Sequence, residues 1–270
     1  MADPQVTVAM GVFNPDEDRF LQAVNSIIGQ SFQNWELLLY DDGSEAAAAG
    51  IIRRAAELDH RIRCIRGQHN HGLAHALNEC IRRAAGAYIA RMDDDDIARR
   101  DRLEKQVSFL ETHAQYHWVG SNAELTDSQG VWGLQKMPEI PQKEDFLFNS
   151  PYIHPTVMFR KRELVHCGGY SESPQHLHGE DYELFIRLHA DGFQGYNLQE
   201  PLLQYWEDYE AHRKRTYRRR IREMKLRYHG FRRLGVLNRN TFCYVLKPLA
   251  VGAVPAPVHH YIRRRIKRRK

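Results

Sequence analysis

The chain has 270 residues, of which 42% are hydrophobic and 27% charged, and its formal net charge is +5 at pH 7. These values are typical of a soluble globular protein, and the length is enough for one large domain or for one domain with an appendage. The sequence has no run of about 18 apolar residues and no basic and apolar leader at its N-terminus, so we expect neither a membrane-spanning helix nor a secretory signal.

Strands and helices are expected to alternate over the first hundred residues. Short apolar runs predict strands, and apolar residues spaced three and four apart predict helices. The predicted strands cover residues 6–12, 35–40, 62–65 and 87–92, and the predicted helices cover residues 17–30, 45–58 and 72–84. This alternation with short connections indicates right-handed βαβ units and a parallel sheet.

Side chains suited to ligand binding follow three of these strands at the point where each strand ends. They are Phe13 with Asn14, Asp41 with Asp42, and the run Asp93–Asp96. Ligands of open α/β sheets bind beyond the carboxyl ends of the strands, so we expect these side chains to meet at one edge. Adjacent carboxylates repel each other, and Mg²⁺ or Mn²⁺ would relieve that repulsion and also bind a substrate phosphate. The pattern predicts a metal-dependent enzyme acting on a phosphorylated donor, although the aspartate run alone also suits a solvated acidic loop.

The pattern is less regular after residue 100. Helices are predicted at about residues 100–113 and 180–190, strands at 117–125 and 156–159, and an irregular stretch at 127–150. From about residue 208 we expect an Arg-rich helix, then an apolar segment at 242–254, then a basic terminus. No internal repeat is present.

The charge is divided unevenly between the body and the tail of the chain. Residues 212–270 contain 20 Lys and Arg and one acidic residue, a net +19, whereas the remainder contains 19 basic and 33 acidic residues, a net −14. Such a tail suits a solvated helix, a nucleic acid or an anionic membrane surface. It lacks interleaved aromatic residues and any known nucleic-acid module, and its apolar segment lies between basic clusters. We therefore expect an amphipathic helix pair on a membrane surface, and no nucleic acid.

The cysteines indicate neither a disulfide framework nor a zinc site. Cys64, Cys80, Cys167 and Cys243 are scattered along the chain without a CxxC pair. Reduced thiols in a cytosolic protein are the expectation.

A series of blocks through residues 5–206 resembles glycosyltransferase family 2. Each block is weak alone, but their order and spacing make the series specific. The blocks are Val6–Asn14, Ala23–Phe32, Leu38–Ser44 (similar to VDDGS), Asn70–Asn78 (similar to NxGLAxALN), Ile89–Ile97 (similar to IARMDADDI, a form of the DxD motif), Asp101–Gln106, His154–Met158, Gly168–Tyr170 and Gly179–Leu184.

The resemblance implies a fold and a division of the chain. The fold is α/β, with a Rossmann-like, mainly parallel central sheet flanked by helices (the GT-A fold). Residues 1–207 would form the catalytic domain, with a nucleotide-sugar half at about 1–98 and an acceptor half at about 99–207. Residues 208–270 would form a C-terminal, basic, amphipathic helical extension.

The resemblance also implies an activity of a bacterial surface-glycan type. A sugar would pass from a UDP-sugar to a hydroxyl of a glycan or lipid-linked glycan acceptor, with inversion at the anomeric carbon. Mn²⁺ or Mg²⁺ would assist. The enzyme would be cytoplasmic and peripheral on the inner face of the cell membrane, held to the anionic surface by residues 212–270.

Seven residues are implied to bind the nucleotide-sugar, and two of them, Asp93 and Asp94, belong to the DxD-like block. Asp42 would hydrogen-bond the uracil edge, and Phe13 would lie against the base with Asn14 beside it. Asn70 and Gly72 would line the nucleotide pocket. Asp followed by Gly is also a turn signal, so a purely structural Asp42 is the alternative.

The metal ligands are implied by the DxD-like block. Asp95 would ligate the metal, with Asp93 as a further candidate ligand, and both Asp93 and Asp94 would approach the ribose or the metal. The family often ends its catalytic domain with an R-x-H segment that touches the metal or the diphosphate. Residues 205–212 match that segment poorly, so His212 is only a weak candidate for a ligand.

Asp181, in the Glu-Asp pair of its block, is implied to be the catalytic base. An inverting transfer needs a carboxylate that takes the proton of the acceptor hydroxyl. A helix N-terminus would lower the pKa of Asp181, and Glu180 would oppose that. The alternative is a helix N-cap. His154, His176 and His178 are more commonly structural, although His154 and the proline after it also suit the acceptor cleft.

Two other functions are alternatives to glycosyl transfer. A sugar-phosphate nucleotidyltransferase would need a Gly-rich, basic phosphate loop after the first strand, and residues 11–19 do not supply one. A nucleic-acid-binding protein would act through its basic tail, and deletion of residues 212–270 would abolish its binding.

Overall fold

The computed structural model describes residues 3–207, 217–252, 254 and 256–268. The strands in this part are β1 (Val6–Val12), β2 (Trp35–Asp41), β3 (Ile62–Arg66), β4 (Tyr88–Arg91), β5 (Ile97–Ala98), β6 (Trp118–Asp127), β7 (Gly130–Gln135), β8 (Met158–Arg160) and β9 (Gly195–Trp206). The α-helices are α1 (Glu17–Ile28), α2 (Ala46–Ala56), α3 (Leu73–Arg83), α4 (Arg102–Thr112), α5 (Lys161–His166), α6 (Glu180–Ala190), α7 (Tyr217–Arg233), α8 (Phe242–Gly252) and α9 (Ala256–Arg268). Two 3₁₀ helices cover Lys143–Leu147 and His154–Thr156.

These strands form one mixed sheet in the order β3-β2-β1-β4-β8-β6-β9-β5, with β7 paired to β6. Strands β3, β2, β1 and β4 are mutually parallel, so the predicted βαβ half is confirmed. The other half combines a parallel β6–β9 pair with antiparallel neighbours at β8, β7 and β5. The predicted α/β class with a central sheet flanked by helices is confirmed, and its parallel character is confined mainly to the first half.

Alternating side chains along the central strands supply apolar groups to both faces of the sheet. Val8 and Met10 of β1 pack in one cluster with Phe20 of α1, and Leu38 of β2 packs in a second cluster with Leu77 of α3. Full burial of one such side chain stabilises the fold by about 1.5–3 kcal/mol. The two-sided burial fixes the strands in place, so the loops at their carboxyl ends start from defined positions.

The structure adds elements that the sequence pattern did not predict. The stretch expected to be irregular contains β7 and the 3₁₀ helix Lys143–Leu147, and β9 continues the sheet between α6 and the tail. The hydrophobic pattern of β9 is broken by Glu200 and Pro201, and its pairing with β6 shifts register between Ser121 and Ala123. Such interruptions hide a strand from a search for strict alternation.

The first tail helix is built into the core of the body. Leu226 and Phe231 of α7 are buried in the same cluster as Phe185 of α6. A Cβ atom added at Gly230 would lie 2.7 Å from Cδ1 of Ile186, so the two helices approach closely at that glycine. The predicted helical tail therefore packs against the body through α7, while the boundary at residue 207 stays a prediction.

The last helix is attached to the sheet by charged contacts. Arg263 donates to Oε2 of Glu207 from Nε at 3.1 Å and from Nη2 at 2.8 Å. Arg264 is paired with Asp127, and its guanidinium lies 5.1 Å from the centre of the Trp132 ring. Within the described residues, no helix combines the length and the apolar character needed to span a bilayer.

Candidate functional site

The predicted ligand-binding segments meet at one edge of the parallel half of the sheet. Val12 at the end of β1 pairs with Asp41 at the end of β2, and Ala9 of β1 pairs with Arg91 at the end of β4. The loops that follow these three strands therefore start side by side. This is the edge at which open α/β sheets bind their ligands.

Asn14 joins the loop after β1 to the loop after β2. Its N–H donates to Oγ of Ser44 at 3.0 Å, and its Oδ1 accepts from the N–H of Glu45 at 2.9 Å. Its φ of +47° lies in the left-handed region, which asparagine tolerates better than most residues. The neighbouring Phe13 is 47% exposed, so its ring is available to a ligand at this edge.

Asp42 holds the loop that precedes α3. Its carboxylate accepts from the N–H of His71 at 3.0 Å and from the N–H of Gly72 at 2.7 Å. The next residue, Gly43, has φ +78°, and a Cβ there would lie 2.6 Å from the carbonyl carbon of His69. The close approach brings Asp42, Asn70 and Gly72 together. Asp42 therefore positions this loop, and its carboxylate retains further lone pairs for a ligand.

Three aspartates after β4 form a cluster. Asp93, Asp95 and Asp96 each offer a carboxylate oxygen, and these oxygens all lie within 4.8 Å of one another. Asp94 is not part of the group. Asp96, which belongs to the predicted acidic run but was not named individually as a ligand, is buried and accepts from the N–H of Trp206 at 2.8 Å.

The electrostatics of this cluster fit a bound divalent cation. Burial, followed by the repulsion of neighbouring carboxylates, raises the pKa of Asp94 and of Asp95 to about 7. Oδ2 of Asp96 is buried and has no hydrogen-bond partner within the described part of the chain. Converging carboxylates with an unused buried oxygen are the donor set that Mg²⁺ and Mn²⁺ prefer. His212 lies outside the described residues.

Arg91 lies at the centre of the site and was not predicted. It is 3% exposed, and its Nη2 lies 2.5 Å from Oδ1 of Asp93. Its Nε and Nη1 atoms are buried and make no hydrogen bond to any described residue. Burial acts to lower the pKa of Arg91, but the Asp93 carboxylate outweighs that effect and raises the pKa above its ordinary value. The only signal in the sequence was an arginine inside an apolar strand.

Asp181 lies in the first turn of α6 and faces the same cavity as Asp93. The N-cap of the helix is Gly179, so the capping alternative for Asp181 is wrong. Burial, followed by repulsion from Glu180, raises the pKa of Asp181 to about 6, although backbone hydrogen bonds and Arg91 act in the opposite direction. The expectation of a lowered pKa is therefore wrong, because burial outweighs the helix end.

Two adjoining cavities, together called the cleft, lie between the Gly72 loop and Asp181. One cavity of about 400 Å³ is lined by Arg91, Asp93 and Asp181, and an adjoining cavity of about 170 Å³ is lined by Gly72. The two cavities share Leu73 and Glu180.

The cleft also includes groups from the second half of the chain. His154 lines it, as the acceptor-cleft interpretation predicted, and its Nε2 lies 2.7 Å from Oη of Tyr170. Burial lowers the pKa of His154 well below its ordinary value, so the ring is neutral. Arg219 of α7 and Arg263 of α9 complete the wall. The sequence predicts only that these two arginines belong to the basic tail.

Comparisons with known proteins identify relatives over nearly the whole chain. The family model described as glycosyl transferase family 2 matches residues 7–169. EpsE of Bacillus subtilis (strain 168), which is assigned as a glycosyltransferase, is 37% identical over 269 residues, covering 99% of this chain and 96% of that protein. The UDP-Gal:alpha-D-GlcNAc-diphosphoundecaprenol beta-1,3-galactosyltransferase of Escherichia coli is 27% identical over 273 residues, covering 98% of each.

Solved structures show the same fold. The mannosyltransferase PcManGT from Pyrobaculum calidifontis, solved in complex with GDP-Man and Mn²⁺, superposes with a TM-score of 0.61. The match covers 97% of this chain and 79% of that one, at 18% sequence identity. At this identity the likeness concerns the fold, which is the α/β arrangement described above.

Proposed function

The chain belongs to glycosyl transferase family 2 and is a nucleotide-sugar-dependent glycosyltransferase, and we propose that its donor is a UDP-sugar and its acceptor a lipid-linked glycan. We propose further that transfer inverts the anomeric carbon. The observation that carries the proposal is one cavity lined both by Asp93, a member of the aspartate cluster, and by Asp181. The Escherichia coli relative, named for a UDP-sugar donor and a diphosphate-linked acceptor, supports both substrate classes.

The nucleotide is proposed to bind at the edge formed by the loops after β1 and β2. Phe13 would lie against the base, and Asp42 would accept a hydrogen bond from the uracil edge with a lone pair that the loop amides leave unused. Asn14 would hold the two loops in register, since it already bonds Ser44 and Glu45. Asn70 and Gly72 would line the pocket because Asp42 positions their loop.

The diphosphate is proposed to lie between this edge and Asp181. Asp93, Asp95 and Asp96 would hold Mn²⁺ or Mg²⁺, which when bound neutralises charge that develops on the leaving diphosphate. Arg91 would add positive charge from the protein, since two of its nitrogens make no hydrogen bond within the described part of the chain. Asp94 is proposed to approach the ribose.

The proposed transfer is a single displacement. The acceptor hydroxyl oxygen bonds to the anomeric carbon from the face opposite the diphosphate, the bond from that carbon to the phosphate oxygen breaks, and UDP leaves with the electron pair. Asp181 takes the hydroxyl proton on a carboxylate oxygen. Its pKa of about 6 leaves it ionised at neutral pH and more basic than an ordinary aspartate.

The acceptor is proposed to be reached from an anionic membrane surface. Helix α9 exposes Val258, Tyr261, Ile262 and Ile266, which are spaced as one helical face. Its Arg263 and Arg264 face the protein instead, through their pairs with Glu207 and Asp127. An exposed apolar face on a basic helix is the pattern of a helix that lies in a membrane interface.

A screen of nucleotide-sugars tests the proposed donor. Purified protein would be incubated with UDP- and GDP-sugars, with Mn²⁺ or with excess chelator, and release of the nucleotide diphosphate would be measured. We expect slow hydrolysis of at least one UDP-sugar in the presence of metal. Turnover of GDP-sugars alone would contradict the uracil assignment, and undiminished turnover in chelator would contradict the metal.

A further inference from the structure

A second cavity lies outside the catalytic cleft. It has a volume of about 960 Å³ and is bounded by α6, α7 and residues 174–176. One face of α7 lines it with Arg218, Arg222, Lys225 and His229, which are three or four residues apart. Apolar side chains line it as well, among them Leu226. We call this cavity the α6–α7 groove.

Three cations of the groove have no partner among the residues that the structure describes. The acidic lining residue Glu183 is bound to Arg187 at 3.0 Å, and this arginine also donates to backbone carbonyls of residues 167 and 169. Arg218, Arg222 and Lys225, by contrast, make no hydrogen bond or ion pair with any described residue. Like charges on one helix face repel each other, so this arrangement suits an anionic ligand better than it suits stability.

The α6–α7 groove and the catalytic cleft are both lined by residues of α6 and α7. On α7, Arg219 lines the cleft and the adjacent Arg218 lines the groove. On α6, Asp181 lines the cleft, and Glu183, which is two residues further on, lines the groove. Residues one or two positions apart on a helix do not share a face, so the groove and the cleft lie on different faces of α6 and α7 and come closest at the first turn of α6.

We propose that the α6–α7 groove binds the diphosphate of a polyprenyl-diphosphate-linked acceptor and the first segment of its hydrocarbon chain. The inference rests on the proposed function, and it names the acceptor class and its subsite. Arg222 and Lys225 supply charge-assisted contacts to the diphosphate. Ile221 and Leu226 supply apolar surface to the chain, whose remainder continues toward the apolar residues exposed on α8 and α9. The sugar next to the diphosphate is proposed to extend around the first turn of α6 to Asp181 in the cleft.

The test is a binding experiment on the full-length protein in excess chelator, which removes metal from the aspartate cluster. The probe is geranylgeranyl diphosphate, compared with geranylgeraniol and with inorganic diphosphate. The groove variant is Arg222→Gln with Lys225→Gln. The matched control is Arg232→Gln with Arg239→Gln, which removes the same charge from exposed residues outside the groove. Melting temperatures establish that both variants are folded.

We expect wild type to prefer the lipid diphosphate over both other probes. The groove variant should lose about tenfold or more in affinity, since two charge-assisted contacts are removed, and the control should stay within about twofold of wild type. Equal affinity in the groove variant, or equal affinity for alcohol and diphosphate, would overturn the inference. If inorganic diphosphate binds as tightly as the lipid diphosphate, the proposal that the groove binds the hydrocarbon chain is overturned.

Nucleotide-sugar turnover separates this inference from the function on which it rests. Wild type that hydrolyses a UDP-sugar but does not bind the lipid diphosphate contradicts the groove assignment alone. Wild type that binds the lipid diphosphate through Arg222 and Lys225 but turns over no UDP-sugar contradicts the proposed donor alone. Tighter binding of a single-stranded oligonucleotide than of the lipid, lost in the same groove variant, would assign the groove to nucleic acid and overturn the inference.

Discussion

At the scale of single residues, the candidate site sets one buried arginine among several carboxylates. Arg91 pairs with Asp93 and also acts electrostatically to lower the pKa of Asp181. Burial and Glu180 act in the opposite direction and prevail, which leaves Asp181 with a pKa of about 6. A carboxylate with that pKa is ionised at neutral pH and still accepts a proton more readily than an ordinary aspartate.

Replacement of Asp181 tests its role as base. Asp181→Asn is nearly isosteric but does not accept the acceptor proton. We expect the rate of transfer to fall by about 10²–10⁴-fold, while the affinity for UDP stays close to wild type. Steady-state kinetics and calorimetry measure the two quantities. Loss of UDP binding in this variant would instead assign Asp181 to the donor pocket.

The pH dependence of transfer follows from the same pKa. Asp181 accepts a proton only when it is ionised, so kcat/KM at saturating metal should rise as the pH increases through about 6 and then level off. Glu180→Gln removes the neighbouring negative charge and lowers the pKa of Asp181, so the rise should move to lower pH. A pH profile identical in wild type and Glu180→Gln would contradict the assignment.

At the scale of elements, two polar clamps hold the loops of the site. Asp42 binds the amides of the loop before α3, as described above. On the other side of the sheet, Arg102 of α4 donates from Nη2 to the carbonyl of Arg91 at 2.7 Å, and Gln106 donates from Nε2 to the carbonyls of Val119 and Thr156. The block at Asp101–Gln106 thus supports β4 and the segment that carries His154.

The Asp42 clamp can be tested without removing a side chain. Asp42→Asn replaces one carboxylate oxygen by an NH₂ group, which cannot accept a hydrogen bond from a backbone N–H. The loss of this acceptor should lower the free energy of unfolding by about 1–3 kcal/mol. We expect weaker UDP binding and a lower melting temperature. His71→Ala is the control, because it keeps the backbone N–H that donates to Asp42. UDP affinity unchanged in Asp42→Asn would contradict both the clamp and the proposed uracil contact.

The elements also show what the sequence could predict. Strands β1, β2 and β4 followed from their apolar runs, because these strands are buried on both faces, whereas β3 is a short edge strand with three exposed residues. Strand β9 was missed because Pro201 interrupts its pattern, and β7 was missed because its two glycines were interpreted as loop signals. Asp95 and Asp181 were identified through short blocks around them. Arg91 and Asp96 lie in one of these blocks, but the sequence indicates no individual role for them: the burial of Arg91 and the bond of Asp96 to the N–H of Trp206 depend on the folded chain.

At the scale of the whole molecule, the basic tail is part of the catalytic body. Leu226 and Phe231 are buried in its core, and Arg219 and Arg263 line its cleft. Deletion of residues 212–270 would expose this core, so substitutions at the surface of the tail are the better test. In the proposed membrane-bound state, the charge of +19 in the tail against −14 elsewhere would direct α9, with its exposed apolar face, toward an anionic surface.

Vesicle co-sedimentation tests this orientation. We expect binding to anionic vesicles and little binding to neutral ones, with an affinity that falls as salt shortens the Debye length. Ile262→Asp with Ile266→Asp should remove the component that resists salt, because both side chains are exposed on α9. Leu58→Asp with Val165→Asp is the control, since Leu58, in the loop after α2, and Val165, in α5, are exposed away from the tail. Equal binding to both lipids, or none to either, would reject the membrane proposal.

The central claim is that the aspartate cluster holds a metal that binds the diphosphate of a UDP-sugar beside Asp181. Calorimetric titration of UDP, with Mn²⁺ and with excess chelator, into wild type, Asp95→Asn and Asp181→Asn tests it most directly. We predict that wild type and Asp181→Asn bind UDP only with Mn²⁺, that Asp95→Asn does not bind it in either condition, and that Mn²⁺ raises the melting temperature of wild type but not of Asp95→Asn. UDP binding that is as tight in chelator as in Mn²⁺, or that is unchanged in Asp95→Asn, would contradict the claim.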